Sequence, residues 1–148
     1  MPHVRVMPRL AYNDPTAAVA FLERAFGFVE VPGARLEHPE GSVYLTQVAV
    51  AGVGVMIGTA GGHGIVSPAT AGTTTQALIV YVDDLDGHCA RARAAGAEIV
   101  SEPADQFWGE RRYEAKDLEG HLWSFHQPVR DVPLDEIRRK FREVASES

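Results

Sequence analysis

Apolar and polar positions along the chain fall into two runs built to one plan. RLAYNDPTAAVAFLERAFGF (9–28) and IVYVDDLDGHCARARAAGAEI (79–99) each open on an apolar strand and reach an acidic turn, Asn13-Asp14 or Asp83-Asp84. Each then continues through a helix of about three turns and stops at a glycine, Gly27 or Gly96. The two turn aspartates, Asp14 and Asp84, lie 70 positions apart. Repetition at this spacing predicts two copies of one supersecondary unit. Asp14 suits the cap of the first helix, and Pro15 suits its first position, where a missing N–H costs nothing. Val19, Leu22 and Phe26 recur at helical spacing and give one apolar stripe. In the second copy the small residues Ala90, Ala92, Ala94 and Ala95 let the helix approach a sheet closely. Gly27 and Gly96 supply the left-handed residue that ends many helices.

After each helix the pattern turns to strand. Residues 29–31, 43–50 and 53–57 are predicted strands in the first copy, the last two joined by a tight turn at Ala51-Gly52. Residues 98–101, 112–116 and 122–127 take the same parts in the second, with Leu118-Glu119-Gly120 as the turn. Pro8 puts the first strand at an edge or a bulge. The class is therefore α+β, with two βαβββ modules in one domain spanning 1–148: module one about 4–58 and module two about 76–128. The Gly-, Ala- and Thr-rich stretch at about 59–75 is predicted to be a mobile linker. It lacks the strand-before and Lys-Ser/Thr-after context of a phosphate loop. A last helix is predicted over about 134–145, with Leu134, Ile137, Phe141 and Val144 on one face.

Composition narrows the class of function. Hydrophobic residues at 45% and charged residues at 23% are a globular balance, which argues against disorder. No apolar run reaches the roughly 20 residues that span a bilayer. The opening residues lack a signal peptide's apolar core, and the one cysteine, Cys89, has no intramolecular partner. A cytoplasmic location is the expectation. Net charge of −6 argues against nucleic acid and anionic membrane as partners and is compatible with a cationic small molecule. The basic run Arg138-Arg139-Lys140 reads as the solvated face of the last helix.

The strand–Asp–helix–Gly plan, followed by DLEGHLWSF (117–125), resembles the vicinal-oxygen-chelate superfamily, the glyoxalase/bleomycin-resistance/extradiol dioxygenase fold. The likeness covers roughly 5–127 and is nearest its bleomycin-resistance-like branch. It implies that each module curls its strands into a curved mixed sheet, that the two sheets enclose a cavity, and that the protein is a homodimer. Metal-using members of that superfamily hold a divalent ion on His, Gln or Glu at fixed strand positions; others bind a drug without chemistry.

Carried over residue by residue, those positions fall on Met7, Met56, Ala77 and Ser124 in this sequence. Thioether, methyl and hydroxyl groups make a poor site for a divalent ion that wants imidazole or carboxylate. The resemblance therefore implies no metal and no cofactor. If Met7 faces the cavity, alternation brings Arg5, Arg9, Ala11, Gly54, Met56, Ala77, Ile79, Tyr81, Leu122, Ser124 and His126 with it. The opposite faces, including Val53, Val55, Leu78, Val80, Trp123 and Phe125, are then expected to meet the helices. Phe107 and Trp108, just before Gly109, are candidates for a stacking wall.

The ligand-contacting set is thus Met7, Arg9, Met56, Ile79, Tyr81, Phe107, Trp108, Tyr113, Leu122, Ser124 and His126. Several of these have plainer readings: the methionines as core filler, His126 as a half-buried strand histidine. His121, after the turn glycine, reads as a surface or capping residue. Arg111 and Arg112 read as partners of Glu110 or Glu114. Two functions fit. One is metal-free binding or sequestration of an antibiotic-like, amphipathic organic molecule. The alternative is a lyase, isomerase or dioxygenase of the same fold, working through unconventional ligands or acid–base chemistry. His126, Glu114 and Tyr113 are its first candidates.

Overall fold

The computed structural model describes residues 5–147. In chain order β1 (Arg9–Tyr12), α1 (Pro15–Phe26), β2 (Val29–Glu30), β3 (Leu36–Glu37), β4 (Val43–Val50) and β5 (Val53–Thr59) come first. A short turn at Gly62–Gly64 and α2 (Pro68–Ala71) lead into β6 (Ala77–Tyr81), α3 (Leu85–Ala94), β7 (Glu98–Asp105), β8 (Glu110–Lys116) and β9 (Leu122–Pro128). α4 (Leu134–Ser146) closes the order. The strands form two mixed sheets, β1-β5-β4-β2 with β3 on β4, and β6-β9-β8-β7. β1 runs parallel to β5, and β6 parallel to β9. Two βαβββ units are thus present, the first with an added two-residue strand. No helix among the described residues is long and apolar enough to cross a membrane.

The repeated turn aspartates do the same work in both halves. The Asp14 carboxylate accepts from the Ala17 N–H at 3.0 Å, and that of Asp84 from the Gly87 N–H at 3.1 Å. Gly27 ends α1 in the left-handed region at φ 72°, and a Cβ there would stand 2.9 Å from the Arg91 guanidinium. Arg91 instead donates to the carbonyls of Glu23 and Arg24, tying α3 to the end of α1. Leu10, Leu22, Phe26, Ile57, Val80, Leu85, Trp123 and Phe125 belong to one buried cluster that runs through both halves. Phe26 lies 4.9 Å from Phe125 and 5.9 Å from Trp123, so the α1 stripe packs on the second sheet as well as its own.

The DLEGH turn is an internal clasp. Asp117 is buried and accepts from the Tyr12 hydroxyl at 2.6 Å, the Trp123 indole N–H, and the backbone N–H groups of Glu119 and His121. Glu119 accepts from the N–H groups of Asn13 and Asp14 and from the Ser67 hydroxyl. Two expectations are corrected here. His121 is not a surface residue: it is buried, with Nε2 2.8 Å from the Ala11 carbonyl and its ring 4.6 Å from that of Tyr12. The stretch 59–75 is not a plain mobile linker. Its Ser67 is fully buried, accepts from the Ala69 N–H to cap α2 and donates to Glu119.

A third correction concerns the cavity. The sheets do not close on one another, and Ile79 and Tyr81 are 60% and 55% exposed. Nor do the opposite faces meet only helices: Val50, Val55, Leu78, Val80 and Trp123 border, with Ile79 and Tyr81, an apolar groove of about 250 Å³ between the sheets, and Val53 is exposed. α1 packs on strands of the first sheet and α3 on strands of the second, and neither helix borders this groove.

Candidate functional site

The free face of the second sheet carries a group of aromatic and titratable side chains. Strand register sets Ile79 beside Ser124 and Tyr81 beside His126, with Glu114 opposite Ser124 and Arg112 opposite His126. Because side chains alternate along a strand, Glu110, Arg112, Glu114, Leu122, Ser124 and His126 stand on one face with Ile79 and Tyr81. α4 lies over this face. Ile137, Arg138 and Phe141 join Ile79, Tyr81, Phe107, Trp108, Glu110 and His126 around a cleft of about 470 Å³. That volume suits a drug-sized molecule.

Gly109 explains how both walls are held. Its φ is 97°, and a Cβ there would stand 2.3 Å from the Arg130 carbonyl. Only glycine allows that approach. The Gly109 carbonyl in turn accepts from the N–H groups of Val129 and Arg130. The turn that carries Phe107 and Trp108 is thereby fixed to the segment entering α4. The two rings meet edge to face with centroids 5.1 Å apart, and the Arg112 guanidinium lies 5.4 Å from the Trp108 ring centroid.

The floor of the cleft is polar. His126 is 6% exposed, with Nε2 2.8 Å from the Ser124 hydroxyl and Nδ1 3.6 Å from a Glu110 carboxylate oxygen, too long for a hydrogen bond. Burial holds the His126 imidazole below its ordinary range, opposed by the nearby Glu110 carboxylate, so the neutral ring dominates at pH 7. Glu110 also raises the Tyr81 phenol through a hydrogen bond. Glu110 Oε2, Arg112 Nε and His126 Nδ1 are buried without a hydrogen-bond partner among the described residues.

The family model for the Glyoxalase/Bleomycin resistance protein/Dioxygenase superfamily matches residues 1–125. The chain belongs to that superfamily. Among solved structures similar to it, TioX from Micromonospora sp. ML1 is 38% identical, covering 88% of this chain and 100% of its own, with a TM-score of 0.66. TnmS3, an antibiotic binding protein from Streptomyces sp. CB03234, is 22% identical, covering 87% and 98%, with a TM-score of 0.65; it speaks for the fold alone. An uncharacterized protein of Mycobacterium bovis is 35% identical over 136 residues, 88% of each chain. The superfamily match ends before α4, so the helix that roofs the cleft lies outside the part matched.

The residues named from the superfamily's pattern divide between the two sheets. Ile79, Tyr81, Phe107, Trp108 and His126 meet at the cleft, with Ser124 bonded to His126 and Leu122 on the same face. Met7, Arg9 and Met56 stand on the first sheet, where Met7 lies over Gly54 and Arg9 over Gly58; none of them lines this cleft. Tyr113 departs from expectation. It is fully buried on the opposite face of β8, and its hydroxyl lies 2.5 Å from His88 Nδ1. Alternation from Glu114 turns it to the core, away from the cleft. Arg111 pairs with Asp86 and Asp105 rather than Glu110 or Glu114, since it points away from the cleft. Sequence reasoning missed Glu110, Ile137 and Phe141 as cleft residues. The sign available was the apolar stripe of α4, which has no buried residue of its own.

The superfamily's divalent ion does not fit the donors present. Met7, Met56, Ala77 and Ser124 offer no imidazole or carboxylate, and among the described residues no three His, Cys, Asp or Glu side chains are grouped to hold a metal. A third concavity of about 260 Å³, bordered by Arg9, Thr74, Gln76 and His121, adds no cluster of titratable groups.

Proposed function

We propose that this protein binds an amphipathic, aromatic organic molecule in the cleft between the second sheet and α4, without a metal ion. The observation that carries the reading is the cleft's lining: Trp108, Phe107, Tyr81, Ile79, Ile137 and Phe141 around a small set of polar groups. Apolar walls drive capture and a few fixed polar atoms orient the guest. The chain's own cleft supports sequestration of an antibiotic-like molecule. A homodimer in the reducing cytoplasm is part of the proposal, as the likeness to the superfamily implies.

Metal analysis tests this directly. Tag-free protein purified without chelator, then incubated with Zn²⁺, Ni²⁺, Mn²⁺ or Fe²⁺, is expected to hold far less than one equivalent and to show no thermal shift. A tight stoichiometric metal would overturn the reading of Met7, Met56, Ala77 and Ser124.

A second reading has one observation behind it. Ser124, His126 and Glu110 stand in line, and the neutral His126 is fit to take a proton. An enzyme working this way would lose turnover in His126→Ala while keeping ligand affinity.

A further inference from the structure

α4 is joined to the molecule differently from α1 and α3. Those two bury Leu22, Phe26, Leu85 and Cys89, whereas α4 buries none of its residues. Its charged side chains pair among themselves, Arg138 with Asp135, and Arg139 and Lys140 with Glu143. Its root, by contrast, is fixed. The N–H groups of Val129 and Arg130 share the Gly109 carbonyl, and only the missing Cβ of Gly109 leaves room for the Arg130 carbonyl beside it. Between that root and the helix, Asp131 and Val132 take part in no hydrogen bond or ion pair among the described residues. Pro133 then caps α4 without a side-chain bond.

The apolar stripe of this loosely held helix faces a second uncovered surface. Ile137 and Phe141 line the same cleft as Ile79 and Tyr81, yet Phe141 is 60% exposed, and Ile79 and Tyr81 are exposed to a like degree. Two apolar surfaces that border one space and both remain in water gain by coming together. They do not meet unaided, because about 470 Å³ lies between them and a close-packed interior tolerates no such void. A planar aromatic guest fills it.

We infer that α4 is a lid: swinging about residues 131–133, it closes Ile137 and Phe141 onto a guest seated against Ile79, Tyr81 and Trp108. The inference rests on the aromatic-guest reading above and adds the motion that encloses the guest. Gly109 is the positioning residue of the device, since it ties the lid's root to the turn that carries Phe107 and Trp108. Closure also supplies α4 with the packing that so short a helix needs to persist in water.

Hydrogen exchange of the intact protein, with naphthalene-2-carboxamide as the probe and calorimetric titration alongside, tests this. Amides of α4 are expected to exchange readily in the free protein and about tenfold more slowly at saturating probe, while those of α1 and α3 keep their rates. Two glycine variants separate the tether from ordinary backbone strain. Gly96 and Gly109 hold similar φ values, 94° and 97°, but a Cβ on Gly96 would meet nothing within 4 Å. Gly109→Ala is expected to weaken the probe about tenfold and to abolish the slowing at α4, and Gly96→Ala to do neither. Equal losses in the two variants would overturn the tether. A probe that binds while α4 exchange stays unchanged would overturn the lid and leave the aromatic cleft standing. A probe that does not bind would overturn the cleft reading and the lid with it. The wild-type exchange decides the matter even where Gly109→Ala does not fold.

Discussion

At the scale of single residues, the same motif letters serve two different ends. Asp117 accepts four hydrogen bonds from Tyr12, Trp123, Glu119 and His121 in a buried setting. Asp117→Ala is therefore expected to cost about 3 kcal/mol of stability, because it strands several buried donors at once; chemical denaturation followed by circular dichroism checks it. His88 gives a second expectation. Its Nε2 is 3.0 Å from the Phe26 carbonyl, which can only accept, so Nδ1 is left to accept from Tyr113. Burial lowers the His88 and His126 imidazoles from their ordinary 6.5, so the unfolded chain takes up protons first as pH falls. Stability is full above that value and declines below it, until the folded-state imidazoles also titrate. Melting temperature is expected to drop between about pH 7 and about pH 5.5, and His88→Gln to flatten part of the drop. A profile that rises toward acid would contradict the assignment. Such roles were beyond the sequence. His121 and His88 carry no spacing that marks them, and their partners, Ala11 and Phe26, are distant in the chain.

At the scale of elements, the sequence was most legible where a physical rule repeats. Asp14 and Asp84 cap as their positions predict, and β4 spans the predicted Val43–Val50. The expected stripe Val19-Leu22-Phe26 is buried, whereas α3 buries Leu85, Cys89 and Ala92 and leaves Ala90 and Ala94, expected against the sheet, exposed. What failed was the two-residue β3, too short for any pattern, and the stretch at 59–75, whose order comes from Glu119 in the other half. The last helix was placed closely from its periodicity, but not its purpose. α4 buries none of its residues, yet brings Ile137 and Phe141 to the cleft. Deleting residues 131–148 is therefore expected to leave the melting temperature nearly unchanged while weakening an aromatic probe by about tenfold, the apolar roof being lost. A collapse of the fold on truncation would show that α4 is structural.

At the scale of the whole molecule, the two halves are joined through helices and a clasp, and their free faces are left open. That arrangement gives each sheet a separate surface, which is why Met7, Arg9 and Met56 part company with His126 and Trp108. Alternation within strands assigned faces well; how two sheets sit against each other depends on packing no single strand records. The central claim is metal-free capture of an aromatic guest by the cleft. Its most direct test is calorimetric titration of naphthalene-2-carboxamide into chelator-treated protein, wild type beside Trp108→Ala. The account predicts an affinity that chelation does not change and that Trp108→Ala weakens about tenfold. Binding that vanishes with the chelator, or that ignores the loss of Trp108, would contradict it.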